Sequence, residues 1–249
     1  MATVHVESFH LNKVRIKTTV TDISKKKVVD DHISSFIRTL NKKRVKVIGF
    51  DIQFVPTTNR VNGTFDLQCA VLHLCDGFSC LIIHLTCREL FWESKSFPSL
   101  VNFLSSPDYT FVGVGIKDNL PKLKKYYGFG CRNAVELGPL AANFMKMPRL
   151  EFCGVDELAF VVNKLDLKKH RPLNMDFYWG FDSHNTELVK FVTVNVYSFY
   201  KIGSTLLGSE TLTPNYPRFG WFRRRFFIYF FGLASVSCLI DCLKKMPRV

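Results

Sequence analysis

Between Val45 and Leu85 the chain spells three strands in quick succession, and few folds accommodate that order. Val45 to Ile52 is a nearly continuous apolar run closing on Asp51, the pattern of a strand buried on both faces. Phe65 to Cys75 and Ser79 to Leu85 follow, joined by Cys75-Asp76-Gly77-Phe78, whose Asp-Gly pair signals a hairpin. Downstream, Tyr109 to Ile116 reads as another buried strand. Helical spacing marks Phe97–Leu104, Leu120–Tyr127, Asp156–Leu165 and Glu187–Leu207. Strands first, then a strand among helices, predict an α/β domain built on one mixed sheet. Upstream, the period-two alternation of Val14, Ile16, Thr18 and Val20 predicts a short hairpin over Val4–Val20. Asp22 or Ser24 then caps a helix to about Leu40, with Val29, Ile33, Phe36, Ile37 and Leu40 on one face.

A 249-residue chain with 47% hydrophobic residues has ample material for a packed core, which excludes global disorder. Lys plus Arg outnumber Asp plus Glu by 34 to 21, a net +13 that favours polyanionic partners: nucleic acid or an anionic membrane surface. The 8 cysteines form no C-x-x-C pair, and no histidine lies at zinc-finger spacing from them. Cys69 and Cys80 fall in apolar runs, as small buried hydrophobes do. The Met1-Ala2-Thr3-Val4-His5 start lacks a secretory pattern, so a reducing compartment, nucleus or cytoplasm, is expected. Ser204–Pro217 has linker composition, followed by Arg223-Arg224-Arg225 and an apolar run from Phe226 to Ile240. That run is shorter than the ~20 residues that span a bilayer. It reads as an interfacial or appended segment, with a membrane anchor as the alternative. The expected organisation is 1–44 as hairpin and helix packed on the domain, 45–207 as the main domain, and 208–249 as linker and tail.

The chemistry-bearing pattern sits in three places. The first is the buried strand ending Phe50-Asp51-Ile52-Gln53-Phe54. The second is Phe111-Val112-Gly113-Val114-Gly115-Ile116-Lys117-Asp118-Asn119-Leu120. The third is Phe191-Val192-Thr193-Val194-Asn195 on a helix. In order and spacing these stretches resemble the exonuclease motifs of the Werner-syndrome-type 3′–5′ exonucleases of the DEDD superfamily, especially the plant members. The resemblance runs from about Val4 to Gly203 and includes Leu72-His73-Leu74-Cys75-Asp76-Gly77, Glu136-Leu137-Gly138, Arg171-Pro172 and Trp179. It implies a ribonuclease-H-like fold: a five-stranded mixed sheet flanked by helices, with an N-terminal hairpin and a C-terminal extension.

The resemblance also implies a site. Working members place an Asp and a Glu in the first motif, an Asp in the second, and a Tyr and an Asp in the third. Four carboxylates are needed because two Mg²⁺ or Mn²⁺ ions held about 4 Å apart bring four positive charges, which hard anionic oxygens must balance. Mapped onto this chain, Asp51 is retained, while Gln53, Asn119 and Asn195 stand at the other carboxylate positions and Phe191 at the tyrosine. The formal ligand charge falls from four negatives to one, so the two-metal site is expected not to assemble. Asp51 remains the metal-ligand candidate, and Asp118, next to Asn119, is the candidate substitute acid. Amides also relieve the mutual repulsion of carboxylates without metal, which favours the apo fold.

What the resemblance leaves is a cleft for single-stranded or recessed 3′ ends, with Phe54, Trp179 and Phe191 as apolar or stacking contacts. Lys117, Lys122, Lys124 and Lys125 after the second motif, with Lys168, Lys169, His170 and Arg171 before the third, supply positive potential. His73 and His84 alternate with apolar neighbours and read as packed histidines. Three functions fit: a nucleic-acid-binding protein with an impaired exonuclease site, a weakly active 3′–5′ exonuclease, or an interaction or membrane-tethered module on an exonuclease scaffold. DNA-versus-RNA preference and oligomeric state are not encoded in any of these features.

Overall fold

A computed structural model of the chain describes residues 4–11, 13–57, 67–85, 97–171 and 185–209. Among these residues seven strands form one sheet: β1 (His5–Leu11), β2 (Val14–Asp22), β3 (Val47–Thr57), β4 (Leu67–Cys75), β5 (Ser79–Leu85), β6 (Thr110–Gly113) and β7 (Ala134–Glu136). Their order across the sheet is β1-β2-β5-β4-β3-β6-β7. The β3-β4-β5 meander is antiparallel, and β6 and β7 add in parallel on the β3 side.

The mixed α/β architecture agrees with expectation, but the sheet has seven strands rather than five. The N-terminal hairpin is part of the sheet: β2 runs parallel to β5, from Lys17 opposite Ser79 to Asp22 opposite His84. Without it, the hydrogen-bonding edge of β5 would stand open beside an apolar strand, a liability sheets avoid. Buried Thr18 and Thr193 share a 2.9 Å hydroxyl hydrogen bond that ties β2 to the last helix.

Among the described residues six α-helices cover the sheet: α1 (Lys26–Leu40), α2 (Pro98–Ser105), α3 (Leu120–Tyr127), α4 (Leu137–Met145), α5 (Val155–Asn163) and α6 (Thr186–Ser209). The expected cap of α1 is not used; Asp22 instead accepts from the Ser24 amide at 2.7 Å, and the helix begins at Lys26 without a side-chain cap. Strand alternation sorts the core into two layers. Ile48, Phe50 and Ile52 of β3 join Val29, Ile33 and Phe36 of α1, Phe103 of α2 and Leu123 of α3. Val47 faces the other way, into a core with Leu137 of α4, Leu158 of α5 and Val194, Val196 and Ile202 of α6.

The contact between β3 and α6 is backbone against backbone. A β-carbon at Gly49 would lie 2.0 Å from the Val196 carbonyl oxygen and 2.9 Å from the Tyr200 nitrogen, so only glycine fits. Gly113 at the end of β6 does the same to β3, where a β-carbon would lie 2.3 Å from the Phe50 carbonyl oxygen. Beyond it the chain leaves the sheet at Gly115, whose φ of +71° is left-handed, so β6 is shorter than the expected Tyr109–Ile116. Among the described residues no helix is long and apolar enough to cross a membrane; the 226–240 segment lies outside them.

Candidate active site

Asp51 and Gln53 are in phase with Val47 and Gly49 on β3, so they project from the α6 face of the sheet. Gln53 is in register with Val71 of β4, and Val71 packs against Leu188, Val189 and Val192 of α6. Asp51 is in register with His73, whose Nδ1 lies 3.4 Å from Asp51 Oδ2 in a fully buried ring. The pair is ionic when the imidazole is protonated. Asp51 Oδ1 accepts from the Ile52 amide at 2.8 Å. Both oxygens of Asp51 thus face donors or a cation-forming ring of the chain itself.

The second motif arrives through the loop after β6. Its turn is held by the Glu136 carboxylate, which accepts from the Gly115 amide and, at 3.3 Å, from the Lys117 amide. Asn119 occupies the N-cap of α3, where its carbonyl accepts from the Leu123 amide at 3.0 Å but its side chain does not cap the helix. Its Nδ2 donates instead to the Ile52 carbonyl at 2.8 Å, between Asp51 and Gln53. A carboxylate could not donate there, so the amide makes a contact that the acid would forfeit. Asp118 is exposed beside it.

The third motif lies on one face of α6, where Phe191 and Asn195 are four residues apart. Asn195 Oδ1 accepts from Arg171 Nη1 at 2.7 Å, and the guanidinium carbon sits 4.5 Å from the centre of the Phe191 ring. The other arm of the fork, Nη2, bonds Asp156 Oδ1 in the first turn of α5 at 2.7 Å. The Arg171 side chain is only 12% exposed. The sequence pointed to Arg171 as part of a basic approach surface; the structure sets it against the third motif, bridging α5 and α6. Lys168 and Lys169 remain exposed.

As a donor set for divalent ions these positions fit poorly. They offer one carboxylate, Asp51, an Asn119 amide nitrogen turned to a backbone carbonyl, and an Asn195 oxygen already bonded to a cation. Among the described residues no group of three or more His, Cys, Asp and Glu could hold a metal ion.

A different surface flanks these positions. Phe54 points to the α3 side of β3, where Lys122 Nζ lies 5.6 Å from its ring centre. Tyr126 stands against Phe54 at 6.2 Å between centroids, with Lys125 Nζ 5.3 Å from the tyrosine ring. Lys117, Lys122, Lys124 and Lys125 are all exposed, and Tyr126 is 44% exposed. Tyr126 and Asp156 escape the motif reading, and His73, read there as a packed histidine, gains its place beside Asp51 only from strand register. Tyr126 had a signal of its own, a tyrosine directly after Lys124-Lys125 on a predicted helix. Trp179 lies outside the described residues.

No family model matches the chain. Over 70 residues it is 39% identical to the RISC-interacting clearing 3′–5′ exoribonuclease 1 of Arabidopsis thaliana, a match that spans 28% of this chain and 35% of that protein. The homology is to a 3′–5′ exonuclease. Among solved structures, one described as the apo form of the nuclease gives a TM-score of 0.53 at 14% identity, covering 78% of this chain and 80% of that one. NrnC of Brucella melitensis gives 0.51 at 14% identity, covering 69% and 77%. The Brucella protein has also been solved with pGG and with Mg²⁺. At these identities the likeness shows a common fold, the ribonuclease-H-like sheet of nucleases.

Proposed function

We propose that this protein binds single-stranded nucleic acid ends with an exonuclease-type cleft whose hydrolytic site is impaired. The observation that carries the reading is the state of the three motifs: of four expected carboxylates only Asp51 is present, and both asparagines are engaged by protein groups. With a single anionic ligand, the charge of two divalent ions would be left largely uncompensated in a partly buried cleft. Without the ions there is no metal-activated water and no stabilisation of the leaving oxygen. Binding is untouched by that loss. The Lys122–Phe54–Tyr126–Lys125 surface beside the cleft has the two elements that hold single strands, aromatic rings (an exposed Tyr126 beside a partly buried Phe54) and cations. RNA is the first substrate class to test, because the Arabidopsis relative is named as an exoribonuclease.

The test uses 5′-labelled single-stranded RNA and DNA with purified protein. Retarded migration at low salt, weakening as salt rises, with no shortening of the label in Mg²⁺ or Mn²⁺, is the expected outcome. Absence of binding at low salt removes the proposal. A second reading, a weak exonuclease acting through Asp51, draws on the same Arabidopsis homology and predicts slow, metal-dependent shortening that Asp51→Asn abolishes.

A further inference from the structure

The tip of the β4–β5 hairpin exposes a large aromatic ring and yet holds it in place. Phe78 is 60% exposed. Its amide donates to Asp76 Oδ1 at 2.9 Å, and its carbonyl accepts from the Lys17 amide at 3.1 Å, so the backbone beneath the ring is pinned on both sides. Lys43 Nζ lies 5.2 Å from the ring centre. That ammonium is itself anchored, donating to the Asp76 carbonyl at 2.7 Å and to the Tyr200 hydroxyl at 3.0 Å. Lys17, Lys42 and Arg44 are exposed beside it, and among the described residues none of the three has a carboxylate within ion-pair distance. Asp76, the acid of the turn itself, is buried, and its carboxylate is engaged by the Phe78 and Ser79 amides.

This tip is remote from the three motifs. Gly49 pairs with Cys75, so the hairpin turn reaches the level of Val47, at the opposite end of β3 from Asp51, Gln53 and Phe54. At the usual rise of a strand, about 23 Å separates it from the Phe54–Tyr126 surface. We infer that the hairpin tip is a second contact for single-stranded nucleic acid, with Phe78 stacking on a base while Lys17, Lys42 and Arg44 neutralise neighbouring phosphates. The inference rests on the reading that the chain binds nucleic acid, and adds a place for the part of a strand that extends beyond the motif end. A ring already held by its backbone and by Lys43 suits stacking, because little side-chain freedom is lost when a base arrives. A lipid surface is recognised through buried apolar area, of which a single ring offers little.

The test measures binding of a fluorescent single-stranded RNA, long enough to span both ends of β3, by anisotropy over a range of salt. The native chain is compared with Phe78→Ser, with the triple variant Lys17→Gln, Lys42→Gln, Arg44→Gln, and with a control triple, Lys25→Gln, Lys26→Gln, Lys27→Gln, which removes equally exposed charge at the far end of α1. Phe78→Ser is expected to weaken binding about tenfold. The first triple should lower the slope of log affinity against log salt by about 2, and the control should leave it nearly unchanged. Thermal unfolding of each protein checks that the fold is intact, and the first triple decides the matter if Phe78→Ser is unstable. Unchanged binding in Phe78→Ser and the first triple, or an equal loss in the control, overturns the inference; if Tyr126→Ala still weakens binding, the function proposed above stands without it. Capture of phosphatidylserine vesicles that Phe78→Ser abolishes, with RNA affinity intact, overturns it in favour of a membrane contact. No binding of RNA by the native chain removes both readings.

Discussion

The two flanks of the β3 carboxyl end handle positive charge in opposite ways. On the α6 side, the largely buried Arg171 side chain bonds Asn195 and Asp156, with its guanidinium carbon over the Phe191 ring. On the α3 side, Lys122 and Lys125 lie over the rings of Phe54 and Tyr126 with their ammonium groups exposed. Among the described residues neither lysine has a carboxylate within ion-pair distance. Fixed charge serves the fold; exposed charge over aromatic faces is free to be exchanged for phosphate. The first and third motifs of the resemblance lie on the α6 flank, while the second reaches the N-cap of α3 beside the lysine–aromatic surface.

The severest way to break the contrast is Gly49→Ala. A methyl 2.0 Å from the Val196 carbonyl forces α6 off β3, and the expected cost is about 3 kcal/mol or more in urea unfolding. Binding should fall only in proportion to unfolding if the α3 surface acts alone. Next is Asn119→Asp, which sets a carboxylate against the Ile52 carbonyl in place of a donor. In EDTA it is expected to destabilise the protein by about 2 kcal/mol, and an unchanged or raised midpoint would refute the view that the amides are structurally engaged. Tyr126→Ala should leave stability nearly unchanged and weaken single-strand binding by about 1–2 kcal/mol, read by fluorescence anisotropy.

A smaller effect comes from Lys122→Gln with Lys125→Gln. The slope of log affinity against log salt should fall by about 1.4, the value for two phosphate contacts to a single strand. The smallest is a pH effect after α3. Burial pushes the Cys131 thiol up to about 12 from an ordinary 9, so the fold favours the protonated form. The stability this contributes is complete below pH 9 and lost as pH rises toward 12. Cys131→Ala should therefore flatten the alkaline fall relative to the native chain.

Much of this was legible in the residues, for identifiable reasons. Buried strands such as β3 and the Asp76-Gly77 hairpin carry strong local signals, and α6 spans Thr186–Ser209 where periodicity placed Glu187–Leu207. β7 has only three residues, Ala134–Glu136, too few for any period to register, and β2 gives no local hint that it will pair in parallel with β5. In the cleft, the motif positions could be read from spacing, but their partners could not. His73 reads locally as a packed residue because it is one; its nearness to Asp51 depends on strand register. Arg171 reads as one more basic residue in a basic run, and its bonds to Asp156 and Asn195 join segments 15 and 24 residues away.

The glycine contact at position 49 has an evolutionary consequence. Because helix and strand meet through their peptide groups, the spacing between them is set by main-chain dimensions, whatever side chains stand at 51, 53, 191 or 195. Acids could be exchanged for amides one at a time without the frame collapsing, so a lineage could abandon cutting and keep its shape throughout.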